Sequence, residues 1–128
     1  MKAQVICRTG SAAGLTKSCG DTTRIGRDEA NEVCIPHDQL SRLHATISRT
    51  AGTFWLVDGG STNGTFLNGR RITKERLRAF DVISLARQVD LIFLVGQYQL
   101  VSSALNALRV ERDDGLDAAA APFPLRAE

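Results

Sequence analysis

Apolar residues in this chain come only in short runs. The longest within residues 3–95, Leu91–Val95, is followed by Phe54–Val57, and the rest are two or three residues long. Nearly every run is bounded by Gly, Asn, Asp or Pro. Segments this short, rich in Val, Ile, Phe and Thr and closely spaced between turn-formers, read as strands of an antiparallel sandwich rather than as βαβ units. The expected fold is all-β, a sandwich of two sheets with about nine to eleven strands, and helix is scarce.

In chain order, strands are expected near residues 3–7 and 15–18, at Arg24–Arg27 with Ile25 facing the core, and at Val33–Ile35, which Pro36 ends because it lacks a ladder donor. They continue at Ala45–Arg49 and at Thr53–Asp58, where four large apolar residues in succession suit burial on one face and partial cover on the other. Thr65–Leu67 lies between two Asn-Gly turn signals, Asn63-Gly64 and Asn68-Gly69. Residues 74–81 could pass for half a helix but are short and uncapped, so strand-to-turn is expected there, with further strands at Val82–Leu85 and Leu91–Val95. Phe54, Trp55 and Cys34 are expected in the core.

Three polar loops at strand ends carry the groups capable of chemistry. Gly26-Arg27 offers a guanidinium. Gln39-Leu40-Ser41-Arg42-Leu43-His44 adds a hydroxyl and a second guanidinium. Gly59-Gly60-Ser61-Thr62-Asn63-Gly64-Thr65 supplies hydroxyls, an amide and glycines able to take positive φ. Gathered at one end of a sandwich, these groups would suit a dianion, because Arg meets two phosphate oxygens with paired N–H bonds while hydroxyl and backbone donors fill the remaining lone pairs. Taken singly, the glycine loop reads more readily as a plain connecting turn than as a phosphate site.

Gly26-Arg27, then Ser41-x-x-His44, then Asn63-Gly64-Thr65 with Asn68-Gly69, in this order and spacing, resemble the signature of the forkhead-associated (FHA) domain, over about residues 4–96. The resemblance implies a β-sandwich that binds phosphothreonine peptides through loops at one end. It assigns Arg27, Ser41, Arg42 and Thr62 to the phosphate, Asn63 to the peptide main chain, and Gln39 to the third residue after the phosphothreonine. Gly26, His44 and Gly64 fall on positions that hold loop geometry. One departure stands out: Phe80-Asp81 occupies the place where the family usually has Gly-Asp.

Competing chemistries fit less well. Ser41, His44 and Asp58 are triad residue types without a nucleophile elbow, and Gly64-Thr65 opens a strand where a P-loop needs Gly-Lys-Ser/Thr opening a helix. No His or Cys partner lies at metal-ligand spacing, so no metal and no cofactor are expected. The net charge of +2 and the lack of a dense Lys/Arg run argue against a nucleic-acid binder. Arg70, Arg71, Lys74, Arg76 and Arg78 read best as solvated edge charges that could also steer an acidic partner. Three unpatterned cysteines fit a reduced, cytoplasmic setting, and no apolar run approaches a membrane span.

The expected organisation is a domain over residues 1–97 and an extension over 98–128. In the extension, Leu100, Ala104, Leu105 and Leu108 fall at helical spacing within 99–110, ahead of an Ala/Pro-bearing tail. The expected function is a non-enzymatic phosphothreonine-peptide module in Ser/Thr-kinase signalling, its partner a phosphorylated protein such as a kinase or a kinase substrate. The alternative is a phosphate-independent assembly module with the same fold.

Overall fold

In a computed structural model, which describes residues 2–96, eleven strands form two sheets. The strands are β1 (Ala3–Cys7), β2 (Thr16–Cys19), β3 (Thr22–Gly26), β4 (Val33–Cys34), β5 (Ala45–Thr50), β6 (Thr53–Asp58), β7 (Thr65–Leu67), β8 (Arg70–Arg71), β9 (Lys74–Arg76), β10 (Val82–Leu85) and β11 (Val89–Val95). One sheet runs β2-β1-β11-β10-β7-β8 and the other β4-β3-β5-β6-β9. The helix considered for 99–110 and the extension from residue 98 lie outside the described residues.

Alternation along the strands builds the core. Val5 and Cys7 of β1, Ile83 and Leu85 of β10, and Leu91 and Phe93 of β11 are buried from one sheet; Ile25 of β3, Ala45 and Ile47 of β5, and Phe54 and Leu56 of β6 are buried from the other. Phe54 and Phe93 meet edge to face across the sandwich with ring centroids 5.3 Å apart. Each fully buried Leu, Ile or Phe contributes about 1.5–3 kcal/mol of transfer free energy, so this layer dominates the stability.

Two expectations about the core need correction. Trp55 is only half-buried, because it alternates with Phe54 and Leu56 and therefore faces outward, where the Lys74 ammonium lies 5.1 Å from its ring centroid. Cys34 is also half-buried: β4 lies at the edge of its sheet, and its Sγ faces the Arg27 carbonyl oxygen at 3.5 Å. Burial pushes the Cys19 thiol up to about 11, against an opposing hydrogen bond with Thr23, and burial also raises Cys7. Neither thiol carries thiolate character near neutral pH.

The turn before β10 carries Phe80 at its strained position. That residue takes a φ of 72°, the left-handed conformation for which glycine is the unstrained residue. Asp81 closes the turn by accepting the Arg78 N–H at 2.7 Å and the Asn68 Nδ2–H at 3.0 Å.

Candidate functional site

Hydrogen bonds tie the three polar loops into one cluster. The Arg27 N–H donates to the Ser41 carbonyl at 3.0 Å, the Asp28 N–H to the Arg42 carbonyl at 3.2 Å, and the Asn31 Nδ2–H to the same carbonyl at 2.6 Å. The Thr62 N–H donates to Ser41 Oγ at 3.1 Å, which joins the glycine loop to the second segment. Gly26 is required where these segments cross, since a Cβ there would overlap the Arg42 carbonyl oxygen. Leu40, 2 % exposed, anchors the second segment to the core.

His44 is fully buried and pins two loops at once. Its Nδ1 accepts the Ser41 N–H at 3.1 Å, which leaves the ring proton on Nε2 to donate to the Gly64 carbonyl at 2.7 Å. Gly64 itself has a φ of 93°, and an added Cβ would lie 3.0 Å from the Arg71 Nε and the Phe66 ring. His44 is thus shielded from solvent and committed to structure. Asp58 is equally committed, so Ser41, His44 and Asp58 form no catalytic chain.

Asp58 organises the glycine loop from its base. Its carboxylate accepts the Gly60 and Ser61 N–H groups at 3.0 and 3.1 Å, the Ser61 hydroxyl at 2.5 Å and the Thr65 hydroxyl at 2.7 Å. Burial of this carboxylate opposes ionisation, but the donated bonds from Ser61, Thr65 and Gly60 prevail and hold its pKa below the ordinary value. Ser61 is therefore a frame residue, its hydroxyl spent on Asp58 and its oxygen accepting the Gly64 N–H at 3.0 Å. Gly59 does not take positive φ; it is glycine because a side chain would press on the Leu43 carbonyl, 3.0 Å from the Cβ position. The Asp-x-x-Ser spacing at 58–61 is the local signal that could have revealed this turn.

What the frame leaves free is a set of donors on one surface. Arg27 is exposed, and its Nε–H donates to the Leu40 carbonyl at 2.9 Å, which orients the guanidinium while both terminal amino groups have no partner among the described residues. The Ser41 hydroxyl, accepting from Thr62, keeps its own O–H to give. The Arg42 guanidinium and the Thr62 hydroxyl are exposed and likewise without partners among the described residues. Asn63 Nδ2 donates to the Gln39 carbonyl at 2.9 Å and to its Oε1 at 3.3 Å, so the Asn63 carbonyl oxygen and the Gln39 amide nitrogen both remain available. Leu43, which follows Arg42 in the second segment, is 41 % exposed, an apolar side chain at this surface that its position ahead of β5 does not signal. Among the described residues no group of three His, Cys, Asp or Glu side chains could hold a metal ion.

A two-sheet sandwich that gathers short loops at one end, with oriented guanidinium, hydroxyl and amide groups left unpaired among the described residues, belongs to the class of loop-presenting β-sandwich interaction domains. The chain belongs to the FHA domain family, whose pattern matches residues 23–86. It is 41% identical over 73 residues to the ABC transporter ATP-binding/permease protein Rv1747 of Mycobacterium tuberculosis, covering 57% of this chain and 8% of that protein. It is 33% identical over 75 residues to the oxoglutarate dehydrogenase inhibitor of Corynebacterium diphtheriae, covering 59% and 52%. The chain thus spans about half or less of the length of these relatives.

Among solved structures, one from a study of phosphothreonine-dependent FHA domain interactions superposes with a TM-score of 0.69 at 26% identity, covering 76% of this chain and 99% of that one. The FhaA FHA domain complexed with the intracellular domain of Rv3910 superposes with a TM-score of 0.65 at 28% identity, covering 71% and 98%.

Proposed function

We propose that this domain is a non-catalytic module that binds phosphothreonine peptides in Ser/Thr-kinase signalling. The observation that carries the proposal is the Arg27 guanidinium, oriented through Nε and without a partner at either terminal nitrogen among the described residues, together with the Ser41 and Thr62 hydroxyls, which have protons to donate. In this reading Arg27 meets two phosphate oxygens, Ser41 and Thr62 donate to the others, and Arg42 closes the charge from the side. The Asn63 carbonyl oxygen accepts a peptide N–H next to the phosphothreonine, and the Gln39 amide reaches a polar side chain further along. Gly26, His44 and Gly64 hold the loops in register. The partner is a phosphorylated kinase or kinase substrate, in keeping with a similar structure that comes from a study of phosphothreonine-dependent FHA domain interactions.

Calorimetric titration with a phosphothreonine peptide library tests this. A hydrogen bond to a charged group contributes about 1.5–3 kcal/mol, so Arg27→Ala is expected to weaken binding at least about tenfold. Equal affinity of wild type and Arg27→Ala would sink the assignment. Because the second phosphate pKa is about 6, binding is expected to weaken as pH falls below that value and the phosphate becomes a monoanion. Affinity that stays level from pH 7 to pH 5 would argue against recognition of a dianion.

A further inference from the structure

The sandwich carries a second charged surface away from the clustered loops. Strand β8 ends the six-stranded sheet and β9 ends the five-stranded one, and between these edges lies a groove of about 270 Å³. Leu67 and Ile72 form its apolar part, and Arg70, Arg76 and Arg78 surround it together with Glu75. All three arginines are exposed, and none of their guanidinium groups has a partner among the described residues, where the sole ion pair is Arg24–Glu32. Asp81, also in the lining, keeps its negative charge while its carboxylate oxygens accept the bonds that build the turn, so it stands with Glu75 against the three arginines. Three arginines without an ion pair among the described residues thus face two carboxylates, which leaves the lining net positive, and the exposed Arg71 and Lys74 add positive charge on the same two edge strands.

Charges on an edge discourage strand pairing, and that would explain isolated lysines or arginines. It does not explain Phe80. This residue sits two positions after Arg78 and next to Asp81, on the turn at the groove's margin, with its side chain 42 % exposed and its φ at 72°. A bulky residue in that conformation is an outlier, where glycine would be free of strain and would expose no aromatic surface. The chain holds an aromatic ring in solvent, at a backbone cost, on the turn between Arg78 and Asp81 of a net cationic groove.

We propose that the β8–β9 groove, with Phe80 as its aromatic anchor, is a second docking surface that takes an acidic, extended segment of a partner protein bearing an apolar side chain. Carboxylates of the segment pair with Arg70, Arg76 and Arg78, its apolar side chain packs on Phe80 and the Leu67–Ile72 surface, and the open edges of β8 and β9 offer backbone groups to its main chain. Glu75 favours a peptide over nucleic acid, because a peptide can set a neutral residue opposite it whereas a phosphate backbone repeats its charge. None of the groove's lining residues belongs to the Arg27–Ser41–Asn63 cluster, so this surface does not depend on phosphate recognition.

Fluorescence anisotropy of a labelled, phosphate-free Glu-Asp-Glu-Leu-Asp-Glu peptide with the full chain at low salt provides the test. Saturable binding is expected, weakened at least tenfold by the combined Arg70→Ser, Arg76→Ser and Arg78→Ser substitutions, several-fold by Phe80→Gly, and unchanged by Arg27→Ala. Phe80→Gly relieves the backbone outlier and is expected to melt no lower than wild type, so its loss of binding cannot be laid to unfolding. Absence of saturable binding, or equal binding by wild type, Phe80→Gly and the triple variant, would overturn the proposal. So would loss of binding in Arg27→Ala, which would place the peptide in the loop cluster, or tighter binding of a single-stranded oligonucleotide of the same charge.

Discussion

At the scale of residues, Asp58 is the most consequential side chain that touches no ligand in the reading above. Four donated hydrogen bonds shape the loop that presents Thr62 and Asn63, and they depress the Asp58 pKa. A carboxyl whose pKa is lower in the folded than in the unfolded state contributes stability that is present above the unfolded value, near 4, and is lost as pH falls through the folded value. The urea midpoint is therefore expected to drop on acidification below about pH 4, and less so in Asp58→Asn. At neutral pH the same substitution is expected to destabilise the protein by about 1–2 kcal/mol, since an amide nitrogen would then confront N–H and O–H donors. An unchanged midpoint in Asp58→Asn would remove Asp58 from this role. From the chain alone Asp58 shows as a member of a weak triad and, through the Asp-x-x-Ser spacing at 58–61, as a turn former. What it does depends on the Gly60–Thr65 backbone folding over it, which no count of residue types reveals.

Elements were legible wherever turn chemistry punctuates them. Asn68-Gly69 is the clearest case: φ values of 50° and 89° make it the two-residue connection between β7 and β8, the geometry an Asn-Gly pair is suited to. Gly69→Ala forces a side chain into left-handed backbone at about 1–2 kcal/mol, and each kcal/mol lowers the melting temperature of a domain of this size by about 4–8 °C. Calorimetry giving a wild-type melting temperature for Gly69→Ala would contradict that assignment. Trp55 and Cys34 depart from the expected burial for a different reason. Apolar character sets a preference for burial, but the side of a strand is set by register and its cover by neighbouring strands, and β4 has a neighbour on one side only.

At the scale of the molecule, we propose that residues 1–97 fold without the extension that follows. β11, the last strand described, ends at Val95, and the Gly96 N–H closes back on the Lys2 carbonyl at 2.8 Å. A chain ending at residue 97 is expected to melt within about 2 °C of the full chain, and a fall of about 8 °C or more would make the extension part of the fold. The strand count, the all-β class, the order of the ligand-type loops and the Asn-Gly turns were readable from local pattern, because alternation and turn preference act over a few neighbouring residues. Pairing of β1 with β11, convergence of Gly26, Ser41 and Thr62, and the groove between β8 and β9 were decided only in three dimensions. Each joins segments far apart in the chain, and which of them meet depends on how the two sheets bury a common core rather than on the preferences of any one stretch.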